Sequence, residues 1–174
     1  NDGAVVASQL DRVLRADVEV VARCHLGLPV VVAVPPILDD GTPFPTRYWL
    51  SCPLANNRVA RLESAGGVSR LESFVAADAG LAAQLAEADR RYAADRDALV
   101  PAGSTPIPAG GVGGNQGKGL KCLHAHYADT AAGSFNPVGS MVRPFVEPLD
   151  CDAPCVRTRA DQDVERNPDW QEPR

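Results

Sequence analysis

Aromatic residues are few in this chain, 5% of it, and Met occurs once. A core is therefore expected from small aliphatic side chains, Ala and Val above all. A basic excess is missing too: 17 Lys and Arg stand against 22 Asp and Glu, a net charge of −5. That excludes the basic stripe of a general nucleic-acid binder and leaves room for a local anion site. Long hydrophobic runs are absent. The best candidate, Leu26 to Leu38, is interrupted by Pro29, Pro35 and Pro36, and it falls short of the roughly 18 apolar residues that a membrane span requires. No signal-peptide pattern is legible, and the chain opens on Asn1 rather than Met. Five cysteines, an odd number at irregular spacing, do not lay out a secreted disulfide framework. Reduced thiols or metal ligands in the cytoplasm are the expectation.

What remains is ample for one domain of 174 residues with its own core. Residues 5–16 carry Val5, Val6, Leu10, Val13 and Leu14 at roughly helical period. Asp17 to Cys24 is β-branched and alternating, and Pro29 to Val34 is a short Val run bounded by prolines, so two buried strands pairing through His25-Leu26-Gly27-Leu28 are expected. Asp39-Asp40-Gly41-Thr42-Pro43 has turn chemistry, and Arg47 to Ser51 is a candidate third strand. A helix follows Pro53 and stops at Gly66-Gly67. Residues 69–99 read as helical with a break at Asp78-Ala79-Gly80, their charges forming a solvated face. Pro101 to Gly119 is rich in turn residues, a segment long enough to be functional or mobile. Helices are expected again over about 120–132 and from Asn136-Pro137 to near Pro148. The fold class is thus α+β: a small antiparallel sheet of two to three strands covered by several helices, spanning residues 1–156. The polar tail 157–174 reads as disordered, with Trp170 as its candidate anchor.

The chemistry concentrates in Lys121-Cys122-Leu123-His124-Ala125-His126. On a helix, Cys122 and His126 are four apart and share one face, a credible half of a tetrahedral zinc site. The other half is available from Cys24, Cys52, Cys151 and Cys155, and Cys151-Asp152-Ala153-Pro154-Cys155 has a spacing found for ligand pairs. The expected metal ligands are Cys24, Cys122, His126, Cys151 and Cys155, for zinc first and an iron–sulfur cluster second. A metal-free alternative uses the same residues. Lys121 and a helix N-terminus favour the Cys122 thiolate, and His124 or His126 would serve as its base with Asp129 or Glu63 orienting the ring. The catalytic candidates are accordingly Cys122, His124 and His126. The loop Gly111 to Gly119 departs from a phosphate-binding P-loop at Val112 and Gly119. Its backbone N–H groups around Gly113, Gly114 and Gly117, with Lys118 and Lys121, could still hold a small anion, or the loop could be a hinge or lid.

Several stretches together resemble a bacterial domain-of-unknown-function family, number 501: Asp40-Gly41-Thr42-Pro43-Phe44-Pro45-Thr46 with Tyr48-Trp49-Leu50, Arg61-Leu62-Glu63-Ser64, the Lys121 to His126 segment, and Asn136-Pro137-Val138-Gly139. The resemblance spans roughly residues 20–145. It implies a mainly actinobacterial protein without an established activity, encoded beside an exopolyphosphatase-like protein and a small division-associated membrane protein. In that family the position of Cys52 can carry His. The leading expectation is a Cys/His metal site, with hydrolase or lyase chemistry on a small anionic substrate if one coordination position stays open. The alternative is a non-enzymatic interaction protein, a homodimer or the partner of a division or envelope protein, with its Cys and His residues structural.

Overall fold

The computed structural model describes residues 1–117, 119–160 and 163–173. Its architecture is α+β, as expected from the pattern of elements. Strands β1 (Glu19–Arg23), β2 (Pro29–Ala33) and β3 (Tyr48–Leu50) form an antiparallel sheet in the order β1-β2-β3. The Val run is the central strand, buried at every position, because both faces of the sheet are covered. Val31 and Leu50 join Leu54, Tyr127 and Val138 in the larger core, while Val32 and Val34 join Val6 and Leu38 on the opposite face. Alternation by two places successive side chains on opposite faces, and burial of both faces turns the alternation into a continuous apolar run. The turn between β1 and β2 closes through Gly27 N–H on the Cys24 carbonyl at 2.9 Å, with Gly27 at φ 75°.

Helix α1 (Asp2–Leu10) covers the second face and is shorter than its apolar period suggests. Asp11 turns left-handed at φ 53°, and Arg12 N–H reaches back to the Ala7 carbonyl, ending the helix before Val13 and Leu14. Helices α2 (Pro53–Ser64), α3 (Gly67–Ala76) and α4 (Ala79–Asp97) follow. The break before α4 is an N-cap: Asp78 accepts from Gly80 N–H and Leu81 N–H at 2.8 and 3.0 Å. Helix α5 (Leu123–Ala131) is the central one. Its buried residues are Leu123 and everything from Ala125 to Thr130, so it contacts β3, α2 and α6 (Pro137–Val146) at once. Among the described residues no helix is long and apolar enough to cross a membrane.

Two expectations are corrected. The first part of the Gly-rich segment is packed into the body, while Gln116, Gly117 and Gly119 are exposed. Val112 is fully buried in a single 3-10 turn (Val112–Gly114), its N–H donates to Asp89 Oδ1 at 2.8 Å, and buried Arg96 donates to the Gly110 carbonyl at 2.6 Å. The described residues of the tail are not disordered either. Strands β4 (Val156–Thr158) and β5 (Val164–Arg166) pair antiparallel and dock on α1. Ser8 Oγ donates to the Val164 carbonyl at 2.6 Å, and Arg166 donates to the carbonyls of Gln9 and Ser8 at 2.6 and 3.1 Å. Composition missed this order because polar bonds to the end of α1, where carbonyls lack helical partners, supply it rather than apolar area. Trp170 packs against the larger core as the tail's anchor.

Candidate functional site

Four cysteines from distant parts of the chain meet on one face. Cys24 follows β1, Cys52 is the N-cap of α2, and Cys151 and Cys155 lie on the segment between α6 and β4. All four line a small cavity of about 10 Å³, together with Gln9, Leu54 and Trp170. Their thiols are free. Two N–H donors point at sulfur: Gln9 Nε2 lies 3.4 Å from Cys155 Sγ and Trp170 Nε1 lies 3.5 Å from Cys151 Sγ. Gln9 also donates to the Pro29 carbonyl at 2.9 Å, which fixes the orientation of its amide and leaves its buried Oε1 without a partner. As the side chains stand, no three His, Cys, Asp or Glu residues among those described form a group able to hold a metal ion.

The other expected residues lie elsewhere. Cys122 is the N-cap of α5, with extended backbone at φ −160° and ψ 151°. It precedes the helix, so the four-residue spacing to His126 does not bring the two side chains onto one helical face. His126 is fully buried, with Nδ1 3.2 Å from Asn136 Oδ1 and Nε2 unpartnered. Asn136 Nδ2 donates to Asp129 Oδ2 at 3.0 Å, and Arg91 Nη2 donates to the same oxygen at 2.6 Å. The ligand set Cys24, Cys122, His126, Cys151 and Cys155 is therefore not gathered: Cys24, Cys151 and Cys155 come together with Cys52, while Cys122 and His126 stand apart. His124 turns to Glu63, with Nδ1 3.1 Å from Oε1, and the same oxygen accepts from Leu123 N–H at 2.6 Å. Glu63 is thus the carboxylate on a histidine ring, and that ring belongs to His124. Cys122, His124, Lys121 and Gly113 line a second cavity of about 140 Å³ with Thr46, Tyr48 and Trp49. Gly113 and Gly114 have positive φ, and a side chain there would run into Ala125 and Pro45. Gly117 lies outside that cavity lining, and Lys118 lies outside the described residues.

Residues 20–144 match the family described as Protein of unknown function (DUF501). The chain belongs to this family. No curated protein and no solved structure matches it. The DUF501 match contains the whole lining of the Cys122 cavity, whereas it splits the four-thiol cavity: Cys24 and Cys52 fall inside the matched residues, Cys151 and Cys155 beyond them.

Electrostatics separates the two thiol sites of this DUF501 chain. Burial pushes the Cys52 thiol up to about 12, opposed by the nearby N–H groups of Ala55 and Leu54, and the neighbouring Cys155 and Cys151 raise it further. Burial also raises Cys155, where the Gln9 amide acts against it and Cys24 and Cys151 reinforce it. Several thiolates in close proximity and partly buried repel one another unless a cation offsets their charge. Burial raises the Cys122 thiol as well and the Glu63 carboxylate adds to it, while the N–H of Ala125, the Lys121 charge and the N–H of His124 act the other way. His126 is held neutral by burial and Asp129 is raised by it, the behaviour of a buried polar network. Cys52 belongs with the thiols although the sequence offered it only as a spare donor. Neither Gln9 nor the N–H of Trp170 carried a sequence signal, since both act through distant contacts.

Proposed function

We propose that this DUF501 chain binds metal through the thiolates of Cys24, Cys52, Cys151 and Cys155, zinc first and an iron–sulfur cluster second. The observation that carries this reading is the convergence of four thiols from separate segments on one small cavity, with N–H donors directed at two of the sulfurs. N–H groups aimed at sulfur favour the thiolate form that a metal ligand requires. As the side chains stand they do not form the site, so on this reading binding requires the cysteines, each with one staggered side-chain torsion, to rotate toward a common ion. A divalent cation then offsets the repulsion between thiolates that burial makes costly. Four sulfur ligands close a tetrahedral site. The ion is on this reading structural, tying the segment that carries Cys151 and Cys155 to β1 and α2, and hydrolase or lyase chemistry is not expected at it.

Elemental analysis with a visible spectrum on anaerobically purified protein tests the reading. Near-stoichiometric zinc, or iron with a broad visible absorbance, is expected in the wild type and in Cys122→Ser, and is lost in Cys155→Ser. A metal-free wild type purified without chelator overturns the proposal, as does metal that Cys122→Ser releases. A second reading, an interaction protein, draws on Phe135 and Phe145, which are 63% and 66% exposed at the two ends of α6. Sedimentation of wild type beside Phe145→Ser tests it, a shift from dimer to monomer being the expected result.

A further inference from the structure

The cavity around Cys122 carries chemistry that a structural metal elsewhere does not use. We propose that Cys122 is a nucleophile toward small carboxylic esters or thioesters, with His124 as its general base and Glu63 as the residue that positions the ring. Cys122 and His124 line the same 140 Å³ cavity. Glu63 Oε1 sits 3.1 Å from His124 Nδ1. A carboxylate at that distance holds the proton on Nδ1 and leaves the Nε2 lone pair to act as base. Glu63 is itself held by Leu123 N–H at 2.6 Å, so carboxylate, ring and the start of α5 form one unit. Cys122 and His124 are two residues apart on one short segment and line one cavity, and the carboxylate on the His124 ring is supplied by α2.

The electrostatics fits a coupled rather than a pre-ionised nucleophile. Burial keeps Cys122 as a thiol at rest, so its proton must leave as the sulfur attacks. In the step proposed, the Sγ–carbon bond forms at the substrate carbonyl while the thiol proton passes to His124 Nε2. The tetrahedral oxyanion faces the Lys121 ammonium, which lines the same cavity. The bond from carbon to the leaving oxygen or sulfur then breaks, and the proton moves from His124 to that leaving group. A thioester on Cys122 remains, and water activated by His124 hydrolyses it to the carboxylic acid and the free thiol. No oxidant, reductant or further co-reactant enters. The walls are Tyr48, Trp49, Leu50 and Thr46, and a space of about 140 Å³ accommodates an acyl group about the size of benzene. The substrate class is therefore a short, largely apolar acyl group on an activated oxygen or sulfur.

The probe is p-nitrophenyl acetate, followed by p-nitrophenol release and by peptide mapping of the acetylated cysteine. Cys122 is expected to acetylate faster in the folded protein than in the urea-unfolded chain, because burial without a base would slow it. His124→Gln and His124→Asn should each slow that acetylation at least about tenfold, general-base help being typically of order 10² to 10⁴. Glu63→Ala should slow it too, whereas Glu63→Gln, whose amide oxygen can still accept from Nδ1–H, should restore much of the rate; a merely structural Glu63 would not give that split. Acetylation of Cys122 no faster than in the unfolded chain overturns the proposal. So does an unchanged rate in either folded His124 variant.

Discussion

Gly139 on α6 packs where a side chain has no room. A Cβ there would stand against Thr130 Oγ1 and the His126 carbonyl, both on α5. The hydroxyl can rotate away; the backbone carbonyl cannot, so Gly139→Ala forces α6 off α5. Overpacking of this kind costs roughly 1–3 kcal/mol. The shift also strains the Gly139 N–H bond to Asn136 Oδ1, 3.0 Å in the wild type, at a cost of about 1 kcal/mol. Against these stands a helix-propensity gain of at most about 1 kcal/mol for Ala over Gly. The net expectation is a loss of roughly 1–3 kcal/mol, which for a chain of this size lowers Tm by about 2–12 °C. Calorimetry or urea unfolding reads it directly. Thr130→Ala in the Gly139→Ala background should recover part of the loss, never all of it, because the carbonyl contact remains. A Gly139→Ala protein as stable as the wild type would refute the packing argument.

The buried network makes two further predictions. Asn136→Ala removes the N-cap of α6 and the partner of His126 Nδ1 and Asp129 Oδ2 together, so a loss of at least about 2 kcal/mol is expected from urea midpoints. His126 has its folded pKa lowered from 6.5 by burial, so the unfolded chain takes up its proton first. Stability from this group is complete above that value and falls as pH drops below it toward the lowered pKa, by at most about 1.4 kcal/mol per pH unit. Asp129, raised by burial from 3.8, pulls the other way, stability rising as pH falls from its raised value toward 3.8. Urea unfolding at about pH 7.5 and 5.5 should show the His126 loss and its flattening in His126→Gln; an equal loss in the variant would contradict the assignment.

The fold was largely legible because its strongest signals are local. The Val run of β2, the Asp78 and Asn136 caps and the Pro at the start of α2 each act within a few residues of themselves. The tail was misread because its order comes from Arg166 and Ser8, 158 positions apart along the chain. The candidate site was half legible. Cys122 and His124 of the segment Lys121 to His126 do line one cavity, but Cys122 lies ahead of the helix rather than in it, so the helical face drawn for Cys122 and His126 does not exist. Cys24, Cys151 and Cys155 were grouped in the sequence with Cys122 and His126, whereas in the fold they line a cavity with Cys52, the N-cap of α2.

X-ray absorption at the metal edge of the purified wild type, beside Cys52→Ser, probes the four-thiolate site most directly. Four sulfur neighbours at about 2.3 Å around zinc in the wild type are expected, with one sulfur replaced or the metal lost in Cys52→Ser. A shell of nitrogen and oxygen neighbours, or a spectrum unaffected by Cys52→Ser, would contradict the site.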